Sequence, residues 1–309
     1  MTPRERGFLL LASHLGDPNR KVLTTAQLRV LADRVSRGEK KGEKRALSEK
    51  DLTALGFGRE LARQILELLG EEARLDAYLN RGRRMDCTPI TRVSREYPLI
   101  LRQRLGLDSP GCLWAKGNVE LLNTPSIALV GSRELGEPNR EFAAEAGRQA
   151  AKQGLTLVSG NARGADRAAQ EACLDAGGNV ISIVADALSR QPRIRNVLFL
   201  SEGDFDEAFS AQRALSRNRC IHALGRVVLV AQSELGKGGT WDGTVKNLRF
   251  GWSPVACFRD GSESARRLEQ MGAYLVDRED LGDLGALLAQ GLNFYTDSQE
   301  KFLDFTHPE

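Results

Sequence analysis

Four stretches of this 309-residue chain bring together residue types that hold anions. The first follows Ile127-Ala128-Leu129-Val130 and reads Gly131-Ser132-Arg133. Glycine lets the backbone turn closely, serine contributes a hydroxyl, and arginine offers a fork of donors matched to phosphate. The second follows Leu157-Val158 and reads Ser159-Gly160-Asn161-Ala162-Arg163-Gly164-Ala165-Asp166, with a helix expected over 167–176. Gly160 and Gly164 free that turn, Arg163 adds charge, and the helix N-terminus adds N–H donors and the positive end of a dipole. The third is Ser216-Arg217-Asn218-Arg219, two arginines around an amide, able to grip phosphates and stack on bases. The fourth, after Val230, is Gly236-Lys237-Gly238-Gly239-Thr240, a glycine-rich anion nest opening a further helix. Each alone is ordinary turn chemistry. Together, their repeated arginines exceed what packing asks for, and they point to capture of phosphate groups without covalent chemistry.

Other chemistries find less support. The fingerprint G-x-G-x-x-G and the Walker A pattern are absent, which argues against an ordinary dinucleotide enzyme or a P-loop ATPase. The five cysteines are odd in number and show no C-x-x-C spacing, and the three histidines (His14, His222, His307) are scattered. No metal site, disulfide framework or cofactor is expected. Lys and Arg number 44 against 41 Asp and Glu, a net charge of +3, so any nucleic-acid contact must come from a local basic patch. No apolar run reaches membrane-spanning length and no signal-peptide pattern opens the chain, so a cytoplasmic protein is expected.

The loops need elements to hold them. From about residue 126, short β-rich runs alternate with amphipathic segments: 126–130, 155–158, 179–184, 197–200, 226–230, 255–258 and 273–276. Nearly continuous apolar runs suit strands buried on both faces, and their alternation with helices predicts an α/β fold with a Rossmann-like, doubly wound, mostly parallel sheet. In such sheets ligands bind at the carboxyl ends of the strands, where these loops lie. Residues 1–90 read as a small helical module, with Gly56-Phe57-Gly58 resembling a helix-hairpin-helix turn and a charge run from Ser36 to Lys50 that reads as a solvated face. The Rossmann-like domain is expected over 91–292, and 293–309 as a short appendage.

In this order the loops resemble the DprA/Smf family of DNA-processing proteins. The similarity begins at Tyr97-Pro98-Leu99-Ile100-Leu101 and continues through the segment from Asp108 to Asn118. It runs on through Val130–Arg133, Ser159–Asp166, Leu200–Glu202, Arg217–Ile221 and Gly272-Ala273. The resemblance implies single-stranded DNA binding, homodimerisation, and hand-over of the DNA strand to a RecA-type recombinase in recombination or transformation. By position it puts Ser132, Arg133, Arg163, Arg217, Asn218 and Arg219 around the DNA phosphates, shaped by Gly131, Gly160 and Gly164. The chain departs from the family pattern at Glu134–Pro138 and at Gly238–Thr244, and the expected relative is a branch without the C-terminal winged helix.

Two other functions stay open. The same superfamily includes nucleotide phosphoribohydrolases resembling the LOG proteins, and Lys237–Asp242 partly echoes their loop. Asp242 would then stabilise an oxocarbenium-like transition state and Arg133 would hold a 5′-phosphate. A nucleotide-sensing module is the third reading. Trp241 and Trp252 flank the fourth loop, where core packing and base stacking are both open to them.

Overall fold

The computed structural model describes residues 1–38 and 47–290. The lysine-rich part of the charge run and the expected appendage at 293–309 lie outside the described residues. The seven expected β runs all form strands: β3 (Ser126–Val130), β4 (Thr156–Ser159), β5 (Val180–Ile183), β6 (Val197–Ser201), β7 (Val228–Val230), β8 (Val255–Phe258) and β9 (Tyr274–Val276). They are parallel to one another. Two strands not expected from the sequence, β1 (Thr88–Thr91) and β2 (Cys112–Gly117), extend the sheet antiparallel beyond β6. The order is β1-β2-β6-β5-β4-β3-β7-β8-β9. The fold is therefore α/β and Rossmann-like, with the chain winding outward in both directions from the boundary between β3 and β7.

Alternation along each strand builds two cores. Ile127, Leu129, Leu157, Val227 and Leu229 face one layer, and Ala128, Val130, Val158, Val228 and Val230 face the other. The first layer carries α7 (Glu137–Lys152) and α8 (Ala165–Asp175). Their alanine-rich faces let the two helices meet closely. A Cβ on Gly147 would lie 2.0 Å from the carbonyl oxygen of Ala169. The opposite layer holds α6 (Leu99–Leu105), α10 (Asn218–Leu224), α11 (Gly238–Phe250) and α12 (Glu263–Gln270), with the short α9 (Ala211–Ser216) leading into α10.

Before the sheet come α1 (Pro3–Ala12), α2 (Thr25–Gly38), α3 (Glu49–Ala54), α4 (Arg59–Gly70) and α5 (Glu72–Arg84). Leu11, Leu31, Leu52, Phe57, Ala62 and Ile65 form their own small core. Phe57 of the Gly-Phe-Gly turn is buried there, with the Arg34 guanidinium 4.6 Å from its ring centre. These helices also join the sheet. Tyr78 of α5 packs on Trp114 of β2 and on Phe205, with ring centres 5.4 and 4.9 Å away.

At the outer end of the sheet, Pro89 of β1 stands opposite Trp114. Because the Arg92 N–H donates to Gly111 at 2.8 Å, alternation along the ladder turns the Pro89 nitrogen and the Thr91 N–H away from β2. The Thr91 N–H donates to Ser94 Oγ at 2.9 Å.

Candidate functional site

The winding reverses between β3 and β7, and a cleft of about 720 Å³ opens at their carboxyl ends. This is where a doubly wound sheet leaves a crevice, since the connections on either side depart in opposite directions. The loop after β3 forms one wall, α9 and the start of α10 another, and the loop after β7 with the start of α11 the third.

Hydrogen bonds between loops set the shape. The Ser132 N–H and Oγ both donate to the Gln232 carbonyl, at 2.9 and 3.2 Å. Gln232 Oε1 in turn accepts the Gly136 N–H at 3.1 Å, and Asn139 Nδ2 donates to the Ala231 carbonyl at 2.8 Å. The β3 and β7 loops are thus one hydrogen-bonded unit. Gly131 packs on Ala165, and Gly164 lies against the backbone of Ser132 and Arg133. A Cβ on Gly164 would meet their carbonyl oxygens at 2.4 and 2.5 Å, and its φ of +92° suits glycine alone.

Asp166 is the internal brace. Its Oδ2 accepts the N–H groups of Gly160 at 3.1 Å and Ala162 at 3.2 Å. Burial pushes its carboxyl upward, opposed by the charge of Arg217 and by those two donors. Arg217, only 7% exposed, lies over Gly160, where a Cβ would fall 1.6 Å from its Nη1. Nη1 donates to the Ile183 carbonyl at 2.6 Å, while the buried Nε has no partner among the described residues. Burial draws the guanidinium down from its ordinary range, and Asp166 and Glu202 draw it up. The result is a desolvated cation in the cleft wall, its position fixed by Gly160.

The expected residues divide accordingly. Gly131, Ser132, Arg133, Arg217, Asn218, Lys237, Gly238, Gly239 and Thr240 line the cleft together. Asn218 Nδ2 donates to the Gly239 carbonyl at 3.0 Å and ties α10 to the start of α11. The N-cap Lys237 makes no side-chain cap hydrogen bond, so the first-turn N–H groups of that helix lack a capping acceptor.

Three expected residues stand outside the cleft. Ser159 is fully buried, its hydroxyl accepting from Gln170 Nε2 at 2.5 Å, so it braces α8 and offers nothing to the cleft. Arg219 turns away. It pairs with Glu202 at 2.7 Å and donates to the Asp108 carbonyl at 3.0 Å, anchoring α10. Arg163 is exposed, but it lines a neighbouring groove that shares Arg133 with the cleft. Gly160 and Gly164 shape the loops from behind the cleft wall. Gln232 and Asn139 had no sequence signal, since their partners, the Ser132 and Gly136 donors for Gln232 and the Ala231 carbonyl for Asn139, are 92 or more residues distant.

The alternative catalytic acid is not in the cleft wall. Asp242 is half exposed and pairs with Lys246 at 2.8 Å, one helical turn along α11. Trp252 is buried in the core beside Phe250, and Trp241 packs against the same core. Among the described residues no group of three or more His, Cys, Asp or Glu is placed to hold a metal, and no helix is long and apolar enough to cross a membrane.

His222 sits at the base of the cleft at 1% exposure, with neither ring nitrogen bonded among the described residues. Burial pushes its pKa from 6.5 down to about 3. The unfolded chain takes up a proton below pH 6.5 that the folded protein refuses. The protein should therefore keep its full stability above that pH and lose it as pH falls through the window. The loss is at most about 1.4 kcal/mol per pH unit, or about 2 kcal/mol between pH 6.5 and 5. Urea unfolding of the native protein and of His222→Leu at neutral and acid pH measures this. Equal acid sensitivity in both proteins would remove His222 as its source.

The geometry has counterparts among known proteins. A family model described as DNA recombination-mediator protein A matches residues 88–282, more than half of the chain. The DNA processing protein DprA of Streptococcus pneumoniae is 32% identical over 182 residues, covering 55% of this chain and 64% of that protein. Protein Smf of Escherichia coli is 28% identical over 207 residues, covering 62% of this chain and 55% of its own. The chain thus spans less than two thirds of the length of these curated relatives. The X-ray structure of DprA from Streptococcus pneumoniae superposes with a TM-score of 0.66 at 26% identity, over 84% of this chain and 92% of that one. DNA processing protein A from Helicobacter pylori shares the fold, with a TM-score of 0.54 at 24% identity over 66% of this chain and 96% of that one.

Proposed function

The chain belongs to the DprA/Smf family of DNA-processing proteins, and on that premise we propose that it binds single-stranded DNA by its sugar–phosphate backbone, in the cleft between β3 and β7. The observation that carries the proposal is the convergence there of Arg133, the desolvated Arg217 and the uncapped start of α11. Anions are what such a set recognises: charge-assisted donors and a helix dipole, while of the carboxylates in the cleft Asp166 is engaged by the Gly160 and Ala162 N–H groups and Glu234 pairs with Lys237. The Helicobacter pylori relative has been described in a single-stranded DNA binding mode, which supports the choice of polymer. Phosphate contacts carry no base information, so sequence preference is low. Pairing of two copies and delivery of the DNA to a RecA-type recombinase belong to the same proposal and rest on the family alone.

Fluorescence anisotropy with a labelled oligo-dT tests it. Binding is expected to weaken with salt at a log–log slope of about −0.7 per phosphate contacted, and to resist competition by duplex DNA and by AMP. Arg133→Ala should weaken binding to every sequence about equally. Failure to bind the oligonucleotide, with AMP binding retained, would replace this reading with a mononucleotide enzyme or sensor.

A further inference from the structure

We propose that a bound DNA strand does not end in the cleft but passes over Arg133 into a second groove, between α7 and α8, where arginines on both helices hold its next phosphates. This rests on the reading of the cleft as a single-stranded DNA site. The groove is about 720 Å³, as large as the cleft, and Arg133 and Glu134 line both. The two therefore adjoin, with Arg133 and Glu134 at the pass between them.

The groove's walls are arginines. Arg140 stands on α7, Arg163 at the loop before α8, and Arg167 on α8. Its floor is small and apolar, with Ala144 from α7 and Ala168 from α8, because Gly147 lets the helices approach until no larger side chain fits at their crossing. A shallow trough edged by cations suits a flexible polyanion.

Elsewhere on the surface Arg6, Arg74, Arg81, Arg259 and Arg278 are paired with carboxylates, and within the groove Arg148 pairs with Glu145 at 2.8 Å. Arg163 and Arg167 are exposed and make no side-chain hydrogen bond or ion pair among the described residues. Arg140 has only the loose contact to Glu137 at 3.9 Å, with both side chains at least half exposed. In a chain with 44 basic and 41 acidic residues, unpaired cations gathered at one place are not a by-product of bulk charge. Of the groove's acids, Glu171 and Asp175 lie further along α8 and Glu134 stands beside Arg133 at the pass; the five arginines of the lining outnumber these three carboxylates, so the net field is positive.

The test compares oligo-dT of about six nucleotides, enough for a cleft alone, with one of about twenty, within and beyond the range of a single binding groove. The variant is Arg140→Ala with Arg167→Ala, two exposed positions outside the cleft wall. For the short oligomer its affinity should stay within about twofold of the native protein. For the long one it should fall about tenfold, with the salt slope shallower by about 1.4, two phosphates at 0.7 each. Unchanged affinity and slope at the long length would overturn the groove. So would equal losses at both lengths, which would assign these arginines to the general field of the cleft. If the native protein binds neither length, the DNA reading itself falls. The three failures are therefore distinct.

Discussion

Arg217→Lys should fold and yet lose single-stranded DNA binding by about ten- to a hundredfold, the range of a charge-assisted hydrogen bond made in a desolvated setting. The charge is kept in this substitution; what goes is the planar fork. Arg217 spends Nη1 on the Ile183 carbonyl while its side chain also lines the cleft. A lysine ammonium is a single point and cannot serve both. The guanidinium is also already stripped of water, at 7% exposure, so a phosphate reaching it meets little residual hydration. Truncation to alanine would confuse the result, because Asp166 would be left buried without its neighbouring cation. Anisotropy on the lysine variant, with circular dichroism to establish the fold, decides the matter. Native-like affinity would show that Arg217 only braces the loops. Gly160→Ala probes the same group from outside, since its methyl would displace the guanidinium.

Gly164→Ala should be the most damaging single substitution near the site, destabilising the protein by about 2–5 kcal/mol. Two costs combine. Its φ of +92° is closed to alanine, and the new methyl would strike two backbone carbonyls that cannot rotate away. Relief requires parting the β3 loop from the start of α8, which moves Ser132 and Arg133 and weakens DNA binding as well. Gly154→Ala is the control, being at φ +70° with open space around it, and should show the backbone cost alone. Urea unfolding of both variants measures the difference. Equal losses would mean that the clash at Gly164 is absorbed and that the two loops are less tightly coupled than their contacts indicate.

Much of the architecture was readable because apolar runs such as Ile127–Val130 and Val227–Val230 must be buried on both sides, a demand few structures besides a parallel sheet can meet. Strands β1 and β2 lacked that signature. Thr88–Thr91 contains a proline and Cys112–Gly117 a lysine, and both lie toward an antiparallel edge where burial is less complete. The site was legible to a comparable depth. Glycine spacing reveals where loops turn, so the backbone parts of the cleft were found. Side-chain direction depends on partners remote in sequence. Arg219 looked equivalent to Arg217 until Glu202 and Asp108 claimed it, and Ser159 looked like Ser132 until Gln170 drew it inside. Arg163 was found for its charge, but the helix crossing that sends it into the neighbouring groove depends on Gly147 and Ala169, whose contact no local pattern announces.

Pro89 and Thr91 have a consequence for how the molecule behaves in a crowd. An exposed sheet edge recruits other chains through its free amides, and a protein that gathers long polymers brings its own copies into close quarters. On the β1 side the outward positions are spoken for: Pro89 has no proton to give, and Thr91 gives its own to Ser94. A foreign strand arriving there finds no free donor at either position, and the Thr91 carbonyl already accepts from the Ser94 N–H. That flank of the sheet is thereby closed to runaway polymerisation, even where many copies are crowded together.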